Sequence, residues 1–105
     1  MLTYQTAYGI MLTDGYGRFL YEGIKEIVEQ LGGFYEQDKW TVYCSTVERP
    51  QLLLGFNVKI HKGMDFKVIE EKWQEHLKNL PPLVKEWFDQ FEEFNADIKI
   101  MVGEY

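Results

Sequence analysis

Within this 105-residue chain, Asp14-Gly15-Tyr16-Gly17-Arg18 has the spacing that comes nearest to recognisable chemistry. An apolar stretch precedes it and a helical pattern follows. Glycines between a strand and a helix N-terminus can present backbone N–H groups and the positive end of the helix dipole to an anion. Arg18 would add a planar fork of donors. Gly15, Tyr16, Gly17 and Arg18 are therefore the candidate site for a small anion or a nucleotide phosphate. The pattern is only a fragment, however. A dinucleotide fingerprint needs a third glycine where Leu20 stands, and the Gly-Lys-Ser/Thr of a Walker loop is absent. A structural turn is the favoured expectation, with Asp14-Gly15 bending the chain and Gly17 in a left-handed conformation.

Nucleophilic chemistry would fall to Cys44, the one cysteine, and it would need a base within hydrogen-bond reach. In the hairpin register given below, Cys44 faces Leu54, and His61 lies seven residues further on, roughly 20 Å at strand rise. His76 could approach only from the core side, where a cysteine acts as a small apolar filler. Glu71 and Glu75 stand one helical turn apart, but His76 points about 100° away from Glu75, so the three do not converge on a metal. No catalytic residue, metal ligand or cofactor is expected. One cysteine also excludes an internal disulfide. The start of the sequence lacks a basic segment, and no apolar run approaches the ~20 residues of a membrane span, which together predict a cytoplasmic protein.

Seventeen acidic against eleven basic residues give a formal charge of −6. That balance argues against direct nucleic-acid binding and against a polybasic membrane patch. Glu86, Asp89, Glu92, Glu93 and Asp97 cluster in sequence. They could imitate nucleic-acid charge and inhibit a basic enzyme, although segregated charge is also what any core-facing helix displays to solvent.

The elements that would position these groups follow from hydrophobic rhythm. Residues 2 to 13 alternate, with even-numbered apolar residues on one face, as a strand requires. Residues 19 to 31 switch to helical spacing through Leu20, Ile24, Ile27, Val28 and Leu31, and Gly32-Gly33 provides a stop. Trp40, Val42 and Cys44 then alternate with Thr41, Tyr43 and Ser45. After a turn centred near Arg49, they would pair with Val58, Phe56 and Leu54, all facing the core. Asp65 can cap a helix through Phe66, Ile69, Trp73, Leu77 and Leu80, which Pro81-Pro82 must break. A further aromatic helix is expected from Leu83 to Phe94, and a last strand from Asp97 to Val102.

The order β-α-β-β-α-(α)-β predicts one α+β domain over residues 1 to 105. The simplest packing is a four-stranded antiparallel sheet with helices on one face, a ferredoxin-like split βαββαβ arrangement with its second helix broken. Function is expected to lie in surfaces. The leading reading is a small, acidic, non-enzymatic interaction protein, an accessory or inhibitory factor of the kind phages encode, binding another protein or itself. Its expected contact residues are Met11, Tyr43, Leu53, Asn57 and Met101 on an open sheet face, and Trp87, Phe88 and Phe91 on the aromatic helix.

Overall fold

Strand β1, Leu2–Met11, forms the spine of the molecule, pairing antiparallel with two neighbours in a four-stranded sheet. The computed structural model describes residues 2–32, 39–45, 50–91 and 94–104. In chain order β1 is followed by helix α1 (Ile24–Gln30), strands β2 (Thr41–Ser45) and β3 (Pro50–Asn57), helices α2 (Phe66–Lys78) and α3 (Pro82–Asp89), and strand β4 (Asp97–Glu104). The sheet order is β2-β3-β1-β4, and every neighbouring pair is antiparallel.

The even-numbered face of β1 is apolar, as its alternation requires. Tyr8, Ile10 and Leu12 pack with Leu52 and Leu54 of β3 against Ile24, Val28, Ile69, Trp73, Val84 and Trp87 from the three helices. Asp65 caps α2 by accepting a hydrogen bond from the Lys67 N–H at 2.9 Å. Pro82 occupies the first turn of α3, where its missing N–H has no intrahelical partner to lose. The break between α2 and α3 is therefore written in the proline pair.

Three local expectations are corrected. First, α1 begins at Ile24 rather than Phe19. Backbone bonds from Leu20 N to Leu12 O (2.9 Å) and from Asp14 N to Arg18 O (2.8 Å) fold residues 18–20 back onto the end of β1. The helix can start only after Gly23, which caps it at φ 85°. Second, α3 ends at Asp89, so Phe91 and Phe94 lie beyond it rather than on a helical stripe. Third, β2 carries the opposite facing. Cys44 pairs with Gln51, not Leu54, and Tyr43 pairs with Leu52. A displacement of three residues is odd, so every side chain changes sides. The hairpin's turn, with Arg49, lies outside the described residues, as does Gly33 of the expected helix stop.

That reversal exposes the feature the sequence reading missed. Ala7, Val42, Cys44, Leu53 and Met101 form a second buried cluster on the face away from the helices. It exists because the sheet curls: β2 and β4, its two edges, approach within 8 Å between Cα atoms. A flat sheet would hold edges three strand spacings apart, about 14 Å. At the heart of the curl, Gly9 and Gly55 face each other across β1 and β3. Their φ angles are 156° and 154°. A Cβ on Gly9 would run into the Leu54 carbonyl, and one on Gly55 into the Tyr8 carbonyl and, at 2.8 Å, the Leu53 side chain. Only glycine permits so close a crossing.

Gly55→Ala is expected to lower stability by about 3–5 kcal/mol through backbone displacement, whereas Gly15→Ala should change it by less than about 0.5 kcal/mol. Gly15 has no atom within 4 Å of an added Cβ. Urea unfolding midpoints of the two variants check the contrast.

Candidate functional site

The turn at residues 14–18 holds an anion of its own. One Asp14 carboxylate oxygen accepts the N–H groups of Tyr16 (2.8 Å) and Arg18 (3.0 Å), and the other accepts the Arg18 Nε–H at 2.9 Å. These hydrogen bonds hold the Asp14 carboxyl below the usual range, the Arg18 backbone bond being the largest cause. The Tyr16 and Arg18 backbone N–H groups and the Arg18 Nε–H are thus engaged by Asp14 itself. Nor does a helix start there, since α1 begins six residues after Arg18. A recess of about 620 Å³ beside it, lined by residues 19–23 with Lys25 and Glu26, brings in Glu22 and Glu26 against one lysine. Gly17 turns at φ 79°, and an added Cβ would meet the Pro50 carbonyl oxygen at 2.8 Å, which explains its identity without a ligand.

Cys44 and His76 lie on opposite faces of the sheet. Burial pushes the thiol up within the concave cluster. The His76 ring is on the helix side, stacked 6.0 Å from Trp73 and edge-on to Phe56 at 5.6 Å. Its Nε2 lies 3.0 Å from the Trp40 carbonyl oxygen, the geometry of an Nε2–H donor. Among the described residues, no group of three or more His, Cys, Asp or Glu side chains is placed to hold a metal ion.

The aromatic residues expected to contact a partner contact one another within the chain. Trp87 is buried, and Phe88 and Phe91 are half-buried. Tyr21 joins them, lying 5.1 Å from Phe94, 5.9 Å from Phe91 and 5.9 Å from Trp87 between ring centres in edge-to-face contacts. Phe88 stacks on Phe94 at 5.0 Å. Trp87 Nε1–H donates to the Glu22 carbonyl at 2.8 Å, tying α3 to the entrance of α1. Such ring pairs contribute about 0.5–1.5 kcal/mol each beyond their burial.

The expected open sheet face is likewise replaced. Leu53 and Met101 are buried in the concave cluster, and Met11 is half-buried beside it. Tyr43 belongs to the helix side because of the register of β2. Asn57 alone of that set is exposed, at the end of β3. Of the acidic set, Glu86, Asp89 and Asp97 are exposed, while Glu92 and Glu93 lie outside the described residues.

The apolar surface that does reach solvent lies elsewhere. Tyr4 and Ile100 are 68% and 69% exposed. Thr6 pairs with Ile100 on one side, and its carbonyl accepts the Val58 N–H at 3.0 Å on the other. A row Ile100–Thr6–Val58 therefore crosses β4 and β1 to the residue just after β3 on the helix-side face, with Tyr4 diagonal to Ile100. It continues into a groove of about 320 Å³ between the end of β3 and the first half of α2, where Phe56, Val58, Met64, Val68 and Ile69 supply apolar walls. Val68 is 60% exposed. Alternation along β1 and β4 places these residues on the core face. It cannot tell that the 13-residue α2 spans only about 20 Å of a strand about 33 Å long, leaving one end uncovered.

The pH dependence of stability follows from His76. Burial holds its ring below the ordinary value of 6.5, with the nearby Lys72 charge acting in the same sense and the Trp40 hydrogen bond opposing. The unfolded chain binds that proton first, so stability should fall as pH drops below about 6.5. Denaturation midpoints compared between about pH 7.5 and 5.5 should fall less in His76→Gln than in the unaltered protein. Comparisons with protein-family models, with curated proteins and with solved structures found no match for this chain.

Proposed function

We propose that this protein is a non-enzymatic interaction module that engages another protein through the uncovered end of its helix-side sheet face. The observation that carries this reading is the grouping of Tyr4 and Ile100, each about two-thirds exposed and diagonal to one another, with Ile100 in line with Thr6 and Val58. Scattered apolar residues are ordinary on any surface, but an exposed apolar pair that runs on through Thr6 and Val58 into an apolar-walled groove has the character of a contact patch. The sheet order β2-β3-β1-β4 and the element order support reading the scaffold as a ferredoxin-like split βαβ arrangement whose second helix is broken at Pro81-Pro82. That scaffold hosts many functions, so the reading rests on the patch and not on the fold. The two sets first expected to carry binding, the sheet's far face and the aromatic residues after α3, are already engaged within the chain.

A double variant Tyr4→Ser, Ile100→Lys should fold normally, with a melting temperature within about 4 °C of the parent, because both side chains are exposed. Affinity capture from the native cell, run in parallel with parent and variant, should yield a partner that the variant loses. Recovery of identical proteins by both would overturn this reading.

A further inference from the structure

The groove between β3 and α2 carries a second signal, in its charge. The chain holds seventeen acidic and eleven basic side chains. Against that excess the groove lining reverses the sign, with two lysines, Lys59 and Lys72, and one carboxylate, Asp65. Like the other described lysines, Lys59 and Lys72 form no ion pair within the chain, where the ion pair among the described residues is Asp14–Arg18. Lys72 is held over the groove wall, its Nζ 4.6 Å from the centre of the Phe56 ring. That contact fixes an ammonium group beside apolar surface, where a ligand's carboxylate would be partly desolvated and its attraction strengthened. The one carboxylate in the lining, Asp65, faces the α2 backbone and accepts the Lys67 N–H at 2.9 Å.

Resting on the interaction-module reading, we propose that this groove receives an acidic, apolar peptide segment of the partner. One large apolar side chain inserts between Val58 and Val68, and flanking carboxylates pair with Lys59 and Lys72. The groove's volume of about 320 Å³ accommodates one such side chain with its flanking backbone. Its continuity with the Val58–Thr6–Ile100 row favours an extended chain over an isolated small acid, which would leave that row bare. An apolar anchor in a pocket, ringed by charges that set orientation, is a recurring design of peptide-binding sites.

The test uses the full chain and labelled hexapeptides in fluorescence anisotropy. The probe is an acidic peptide with a central phenylalanine. Its controls carry lysine in place of every glutamate, or serine in place of the phenylalanine. The acidic aromatic peptide should bind, with affinity falling as salt rises beyond ~0.15 M, and neither control should bind. Lys59→Glu with Lys72→Glu should weaken it by about tenfold or more and admit the basic peptide. Val68→Asp should abolish binding with the fold intact by circular dichroism, since Val68 is exposed. Equal binding of acidic and basic peptides, or none of either, would overturn the proposal. So would phenylacetate competing as tightly as the peptide, or unlabelled protein displacing it by dimerising through these lysines. If the peptides fail while capture still depends on Tyr4 and Ile100, this inference falls and the interaction module stands. If capture shows no such dependence while the peptide binds, the groove stands as a peptide site and the Tyr4–Ile100 surface falls as the contact that holds the partner.

Discussion

The architecture depends on one backbone crossing. Where Gly9 meets Gly55, the two central strands run so close that neither residue can carry a Cβ. The sheet coils around that crossing until its edges come within 8 Å, and the trough so formed is filled by Ala7, Val42, Cys44, Leu53 and Met101. These are small or flexible side chains, the kinds that a narrow concave space admits. A four-stranded sheet with one helical layer would ordinarily leave its other face to solvent or to a second molecule. Here the coil supplies that cover from within.

The helical side is secured differently. Trp73 and Tyr8 meet edge to face at 5.9 Å beneath α2, and Trp87 ties α3 to the carbonyl of Glu22. Rings from Tyr21, Phe91 and Phe94 then close the gap between the start of α1 and the approach to β4. Aromatic stacking thus takes over where helix α3 stops, since its eight residues are too short to span the sheet. Both devices concentrate burial in the middle and at one end of the sheet. The far end of β1 and β4 is left with Tyr4 and Ile100 in water.

How much of this was legible in the sequence varies by element, for identifiable reasons. Asp65, Pro81 and Pro82 mark helix boundaries through chemistry internal to a few residues, and the boundaries of α2 and the start of α3 could be read from them. The alternation of β1 revealed its buried face because its two sides differ sharply in polarity. Strand β2 gave no such contrast. Val42 and Cys44 compete with Tyr43 and Thr41 for the core, and with two cores available both sides are satisfied. Gly9 and Gly55 read as ordinary strand glycines because their role appears only when the strands are paired. The Asp14 turn was open to an anion reading for the same reason: its donors and its acceptor are adjacent in sequence, but their mutual satisfaction is a matter of geometry. The candidate contact patch was least visible, since it arises from a mismatch in length between helix and strand.

The trough also governs the molecule's response to oxidants. Its sulfur, Cys44, is 3% exposed on the concave side of the sheet. A sole sulfhydryl enclosed in this way cannot reach its counterpart in another copy unless the coil first opens. Covalent cross-linking through this thiol is therefore coupled to unfolding, and the intact fold is insulated from the redox poise of its surroundings.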